Sequence, residues 1–358
     1  EDENVVLPTE AEAIEMLAAV KNEEIAAPVE ETIRENLVEI APKAGKIKKT
    51  TYNESLGVTE WTLSNGVRVV VKPTTFKQDE ILFYAFSQGG RSMVATADLP
   101  SAVLATDVIE LGGLADMSAT DVQKALTGKR VSVSPSINAY SESLSGSSTI
   151  KDLETLLQLN YLYFTAPRRD EESYQTLMSI LDSQLANRDN NPKVAFSDSI
   201  QMMVNDYSDR TIIVDKALLE KVSLDKALEI YKARFANPAD FIFFFVGNVD
   251  PTDEVFQSQV CIWLGGMKSS KKFETAKDDK VRVIKGLQKN MFTRKMETKT
   301  ASNRIQYTSY NMPYTLANNL NMEMIGRILS TRYLESIRER EGGSYGVGCA
   351  GWMNRHPV

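Results

Sequence analysis

The sequence has 358 residues, more than one domain ordinarily holds, so two domains plus a connecting segment are expected. With 42% apolar and 25% charged residues it can bury a normal core, and 41 basic against 48 acidic residues leave a net charge of −7 that repels nucleic acid and anionic membrane as main partners. The longest apolar run, around Phe241 to Val246, falls far short of the ~20 residues a membrane helix requires, so no transmembrane segment is expected. The chain opens on Glu1-Asp2-Glu3, without an initiator Met or a charged-then-apolar leader, as if cut from something longer.

Residues 1–50 alternate short helical patterns with acidic runs: Ala13, Ile14, Leu17 and Val20 share one helical face, and Ile33, Leu37 and Ile40 begin a second. This segment is expected to be a helical connector with solvated charges. From Glu60 the period changes to two, with Asn65-Gly66 between Trp61-Thr62-Leu63 and Val67 to Val71, which predicts a hairpin; Glu80 to Ser87 predicts a third strand ending at Gly89-Gly90. Helices are predicted near 100–111 and 118–127, the second with Ser118 and Asp121 spaced as an N-cap and its acidic third residue. Strands follow at 131–137 and 139–147, helices near 150–165, 170–188, 192–206 and 223–235, and an apolar strand at 240–246. Strands in groups and helices in groups predict an α+β fold, with helices packed on a largely antiparallel sheet.

After a polar linker near 268–280, strand patterns return at 291–296 and 304–310. A long helical pattern then runs from about Leu316 to Arg340, and 344–350 reads as another strand. The order repeats the opening of the first domain, so the expected organisation is a connector at 1–50, a complete domain at 51–267 and a truncated copy at 268–358. The apolar face of the long helix, with Met322, Ile325 and Leu329, is expected to be core.

Chemistry narrows quickly. A hydrolytic zinc site needs two or three converging His, Cys or carboxylate ligands and a carboxylate base, yet the only histidine, His356, stands near the last residue with no ligand at helical spacing. The same shortage argues against Ser-His-Asp or Cys-His catalysis. Cys261 and Cys349 are far apart and are expected to be buried small groups, not a disulfide or metal pair; they leave the compartment open. Gly342-Gly343-Ser344-Tyr345-Gly346 matches the letters GxSxG, but in a helix-to-strand context that does not fit a nucleophile elbow. No Gly-Lys-Ser/Thr follows the glycines at 265–266 or 342–343, so no phosphate loop is read. Glu339 and Glu341, on a charged helix end, read as solvated.

The segment Ile337-Arg338-Glu339-Arg340-Glu341-Gly342-Gly343-Ser344-Tyr345-Gly346-Val347 resembles the Arg-to-Tyr signature of the C-terminal half of the pitrilysin/insulinase zinc peptidases, the inverzincins. The hairpin from Thr62 to Pro73 followed by Glu80 to Gly90 is similar to the start of a repeat in that family. The resemblance implies pitrilysin/insulinase-type domains, one complete and one truncated, from a protein whose four domains form two halves around a chamber. It implies that zinc is held by an HxxEH motif in a missing N-terminal half; the equivalent helix here, Leu99 to Glu110, has no His, so no cofactor is expected in this chain.

By the same resemblance, Arg338 and Tyr345 would donate to a substrate carbonyl and its developing oxyanion, with Gly342, Gly343 and Ser344 close to the substrate backbone. On chemistry alone a structural reading stands beside this one: Arg338 pairs with a nearby acid, Tyr345 is a half-buried strand aromatic, and the two glycines merely stop the helix. An exposed sheet edge is a further expected peptide contact. The partners implied are the HxxEH-bearing half and peptide substrates. A catalytically inactive partner or scaffold subunit of the same family is the alternative reading, an unrelated α+β binding protein a more distant one, and the acidic connector tilts the expected address toward a bacterial periplasm or cell envelope.

Overall fold

A computed structural model of the chain describes residues 8–21, 34, 36–270, 272–296, 299–309 and 312–355. His356 lies outside the described residues, as does Ile33; Leu37 and Ile40 of the second connector pattern lie in irregular backbone and not in the expected helix. The chain divides into two units, Glu1–Glu35 and Asn36–Val358.

In the first unit, helix α1 (Glu10–Lys21) forms where the sequence predicts one. Thr9 starts it: its hydroxyl accepts from the Glu12 amide at 3.4 Å, and the Glu12 carboxylate accepts from the Thr9 amide at 2.8 Å. Those bonds hold the Glu12 carboxyl below its usual pKa. Ile14, Leu17 and Val20 are all exposed, so α1 draws its order from capping more than from burial.

The second unit is built on a seven-stranded sheet in the order β1-β2-β3-β7-β4-β6-β5. Its strands are β1 (Ile47–Asn53), β2 (Val58–Leu63), β3 (Arg68–Pro73), β4 (Ile81–Gln88), β5 (Val131–Ile137), β6 (Ser141–Ser148) and β7 (Ile242–Gly247). Every pairing is antiparallel except β3 with β7. That parallel pair needs a long crossover, supplied by the helices between residues 90 and 240. The predicted hairpin joins β2 to β3: Gly66 takes φ +89°, its amide bonds to Leu63 O at 3.0 Å, and the Asn65 side-chain amide reaches the carbonyls of Leu264 and Met267.

The helices are α2 (Leu99–Val103), α3 (Ala105–Gly112), α4 (Ala119–Ala125), α5 (Leu153–Thr165), α6 (Glu171–Leu185), α7 (Pro192–Val204), α8 (Lys216–Leu219), α9 (Leu224–Arg234), α10 (Glu254–Trp263) and α11 (Leu316–Tyr333). The expected capping box of α4 is present, with Ser118 and Asp121 exchanging bonds. Alternation along β4 and β7 puts Phe83, Phe243 and Phe245 on one face, where they join Phe241, Phe235 and Tyr231 in the core; Phe164 meets Phe241 edge-on at 4.9 Å. Each such ring contributes about 1.5–3 kcal/mol through burial. On the opposite face Leu82 and Tyr84 are exposed, with Phe86 and Phe244 beside Tyr84 and half-buried.

Three strand expectations fail among the described residues: 291–296, 304–309 and 344–350 are irregular. A strand needs a neighbour to complete its backbone bonds, and β1 to β7 leave none for these segments. The expected core face of the long helix is also absent. Ile325 is exposed, Met322 and Leu329 are half-buried, and Gly326 is the one buried residue of α11. Cys261 and Cys349 are unpaired and only partly buried. Three elements went unforeseen: β1, exposed along most of its length, the short α8, and α10, whose Phe256, Val260 and Trp263 enter the core.

Candidate functional site

The candidate residues lie where α11 ends. Its N-terminus is set by Thr315, whose hydroxyl accepts from the Asn318 amide at 3.0 Å. From Leu334 to Arg340 the helix widens into a π-helical turn. It stops at Gly342, φ +59°, where the Gly342 amide bonds to Arg338 O at 3.2 Å and the Gly343 amide to Ile337 O at 2.9 Å. The glycine stop read from the sequence is therefore present.

After the stop the chain turns back along the helix. Ser330 binds Cys349 twice: its hydroxyl donates to Cys349 O at 2.8 Å and accepts from the Cys349 amide at 2.6 Å. Asn319 Oδ1 accepts from the Met353 amide at 3.0 Å. Close approach is possible because Gly326 faces Gly351; a Cβ on Gly326 would lie 2.5 Å from Gly351 N, and one on Gly351 would lie 2.2 Å from Met322 O. The sequence carried a signal for this contact, small residues at 326 and 330 on one helical face, that the periodicity reading passed over.

That return brings Tyr345 to Arg338, whose guanidinium carbon lies 4.8 Å from the centroid of the phenol ring. Arg338 is half-exposed, its Nε 3.6 Å from Glu339 Oε1, and Tyr345 is 89% exposed. Tyr345 is thus neither half-buried nor on a strand, which corrects that part of the structural reading. Ser344 donates to Gly346 O at 2.9 Å, and a Cβ at Gly342 would meet nothing within 4 Å. Glu339 and Glu341 are solvent-exposed as expected.

A second feature lies at the β5 edge of the sheet. The bond from Asn138 N to Ser141 O and that from Thr149 N to Arg130 O bracket a regular β5–β6 register. Antiparallel pairing then turns the peptide groups of Ser132, Ser134 and Ser136 toward β6 and those of Val131, Val133, Pro135 and Ile137 outward. Pro135 has no N–H, and Ile137 O already accepts from the Arg91 guanidinium. The outward row therefore carries amide N–H groups at Val131, Val133 and Ile137, broken between the last two by Pro135. It borders a cleft of about 480 Å³ lined also by Glu110, Gln123, Lys129 and Tyr163. The Ser134 hydroxyl bonds to Glu110, and desolvation nevertheless raises the Glu110 pKa.

No group of three His, Cys, Asp or Glu side chains among the described residues could hold a metal ion. With one histidine in the sequence and none on α2 or α3, the donor set does not fit a catalytic zinc in this chain. No helix among the described residues is long and apolar enough to cross a membrane.

No protein-family model matches the sequence. The chain is 31% identical over 254 residues, 70% of its length, to the zinc protease PQQL-like of Arabidopsis thaliana, covering 24% of that protein. It is 23% identical over 313 residues, 87% of its length, to the probable zinc protease PqqL of Escherichia coli, covering 33% of it. The crystal structure of the E. coli periplasmic protease PqqL matches with a TM-score of 0.70 at 20% identity, over 95% of this chain and 37% of that one. Pitrilysin matches with a TM-score of 0.50 at 13% identity, over 72% of this chain and 26% of that one. The chain thus spans about a quarter to a third of the curated relatives it matches. By sequence and fold together, it belongs to the pitrilysin/insulinase (M16) family of zinc proteases and corresponds to part of the C-terminal half, the half without an HxxEH motif.

Proposed function

We propose that this chain is the substrate-binding, non-zinc half of a zinc-dependent metalloendopeptidase, working with an HxxEH-bearing half that holds the metal. The observation that carries the reading is the approach of Arg338 to Tyr345, with both side chains open to solvent. A guanidinium and a phenol side by side offer several N–H donors and one O–H donor to a peptide carbonyl, and hold them fixed while negative charge grows on that oxygen. Gly342 and Gly343 keep the neighbouring surface low enough for a substrate backbone to approach.

The sheet supports the same reading. Its uncovered face, with Leu82, Tyr84, Phe86 and Phe244, has the character of a chamber wall able to meet apolar peptide side chains. The β5 edge supplies the expected strand contact, through the outward amides of Val131 and Val133 before the gap at Pro135. The exposed apolar residues of α11, among them Leu320, Met324 and Ile328, are the surface a truncated second domain would bury against further sequence. Taken alone the chain would not cleave peptides, and the periplasm is the compartment this reading favours.

The test is peptidase activity on a quenched peptide library, with zinc added, for this chain alone and mixed with its HxxEH-bearing half. Activity only in the mixture is expected, with Arg338→Ala or Tyr345→Phe lowering it roughly 10²- to 10³-fold, as removal of an oxyanion donor does. Activity from this chain alone overturns the proposal. Association of the halves without activity moves the assignment to an inactive scaffold subunit.

A further inference from the structure

Residues 272–284, which overlap the polar linker read from sequence near 268–280, lie along one end of the sheet and are tied down at five points. The Lys272 carbonyl accepts from the Asn237 side-chain amide at 2.9 Å. Glu274 pairs with Arg234, at the end of α9, at 2.8 Å. The Lys277 amide donates to the Ser92 hydroxyl at 2.9 Å, and that hydroxyl donates to Gly89 O. Asp279 accepts from the Tyr140 hydroxyl at 2.8 Å, and the Ile284 amide bonds to Val204 O at 2.9 Å at the end of α7. A solvated linker does not make such a series of contacts.

Beneath these contacts lies a carboxyl that neither the fold nor the proposed peptide site requires. Glu142, at the start of β6, is 2% exposed and accepts from the Gly90 amide at 2.6 Å. Gly89 makes the room. A Cβ at Gly89 would lie 2.7 Å from Arg234 Nη1 and 3.2 Å from Glu142 Oε2, so both charged groups rest against its Cα. The groups facing Glu142 are the Gly90 amide and the Ser87 hydroxyl from β4 and its following turn, Arg234 from α9, and Glu274 from the linker. Asp240, before β7, adjoins Arg234 and Glu274. Arg91 follows Gly90 and is turned away to Ile137 O. Arg234 is 8% exposed in its side chain and therefore stands between two carboxylates, one fixed in the sheet and one carried by the linker.

We propose that residues 272–284 form a proton-gated strap, docked on the sheet through Arg234, Ser92 and Tyr140 while Glu142 is protonated and loosened when Glu142 ionises. The reason is competition for one cation. With Glu142 neutral, Arg234 is balanced by Glu274 and the strap stays down. With Glu142 charged, Glu274 meets a like charge and shares its arginine. Coupling of this kind is reciprocal: a docked Glu274 raises the affinity of Glu142 for its proton, so the proton holds the strap. Desolvation, opposed by the Gly90 amide and Arg234 and assisted by Glu274, raises the Glu142 pKa from 4.5 to about 7, which sets the switch near neutrality. Because the strap joins the sheet domain to the segment carrying Arg338 and Tyr345, its release would free that segment's attachment.

The experiment is NMR on the 358-residue chain with selectively labelled glutamate and lysine, following the Glu142 carboxyl and the Lys277 amide from pH 5.5 to 8.5. The two signals should titrate with a shared midpoint, and strap docking should weaken roughly tenfold across the range, an ordinary size for coupling between sites. In Glu142→Gln the Lys277 amide should stay at its low-pH position throughout. In Glu274→Gln, a half-exposed substitution that spares the core, the Glu142 midpoint should fall. A Lys277 amide that ignores pH, or one that titrates unchanged in Glu142→Gln, overturns the proposal. So does an unmoved Glu142 midpoint in Glu274→Gln.

Discussion

The sheet domain and the segment from residue 286 onward have similar sequence textures and opposite structural outcomes. Both show alternating apolar patterns and helices with apolar faces, yet one buries Phe243, Phe245 and Trp263 almost completely while the other leaves Ile305, Tyr307, Leu320 and Ile328 in solvent. The difference teaches that a period-two pattern specifies which face of a strand would be buried, not that a strand will form. Formation waits for a neighbour to take the backbone bonds. β4 has β6 and β7; residues 304–309 pair with no strand among the described residues.

Substitutions sharpen this contrast. Phe243→Ala should cost about 3–5 kcal/mol in denaturant unfolding, because the ring is fully buried and touches several others. A loss below 1 kcal/mol would mean the sheet core is far looser than drawn. Glu142→Gln should act next most strongly, and in the opposite direction. The raised pKa means that the protonated form stabilises the fold fully below about pH 4.5, and that this contribution is lost as pH climbs to about 7. The variant should therefore gain up to about 3 kcal/mol over the natural chain at pH 8 and almost nothing at pH 4, read from paired unfolding curves. Equal effects at both pH values would contradict an ionised, buried Glu142.

Thr315→Ala removes the cap of α11 and should cost about 1 kcal/mol, seen as fraying of that helix in amide exchange. Smallest of all, Ile328→Ala on the exposed face of α11 should change stability by no more than about 0.5 kcal/mol in this chain. Its cost should rise by several-fold if another segment covers that face, which makes the same substitution a detector of such packing.

How legible all this was depends on the range of the interaction. The Ser118–Asp121 box, the Asn65-Gly66 turn and the Gly342 stop are settled within a few residues, and the sequence showed each of them. The seven-residue spacing from Arg338 to Tyr345 was also visible, but their stacking depends on Ser330, Gly326 and Gly351 drawing the chain back, a contact across some twenty residues. β1 escaped notice because a strand exposed on both faces carries no alternation. The Glu142 cluster was unreadable, since it assembles groups from residues 87, 90, 142, 234 and 274 that only the folded sheet makes neighbours.

Pro135 has a consequence of another kind. An open sheet edge is a template on which a second molecule can add a strand, and repetition of that step leads to fibres. Here the outward row of β5 loses one donor to the proline ring and one acceptor to Arg91, so an incoming strand finds a ladder interrupted after the amides of Val131 and Val133. At the far edge β1 shows Lys48 and Lys49 to solvent, which repel a second copy of themselves. The chain can keep one edge available to a short peptide while giving its own neighbours in a concentrated solution too little to stack upon.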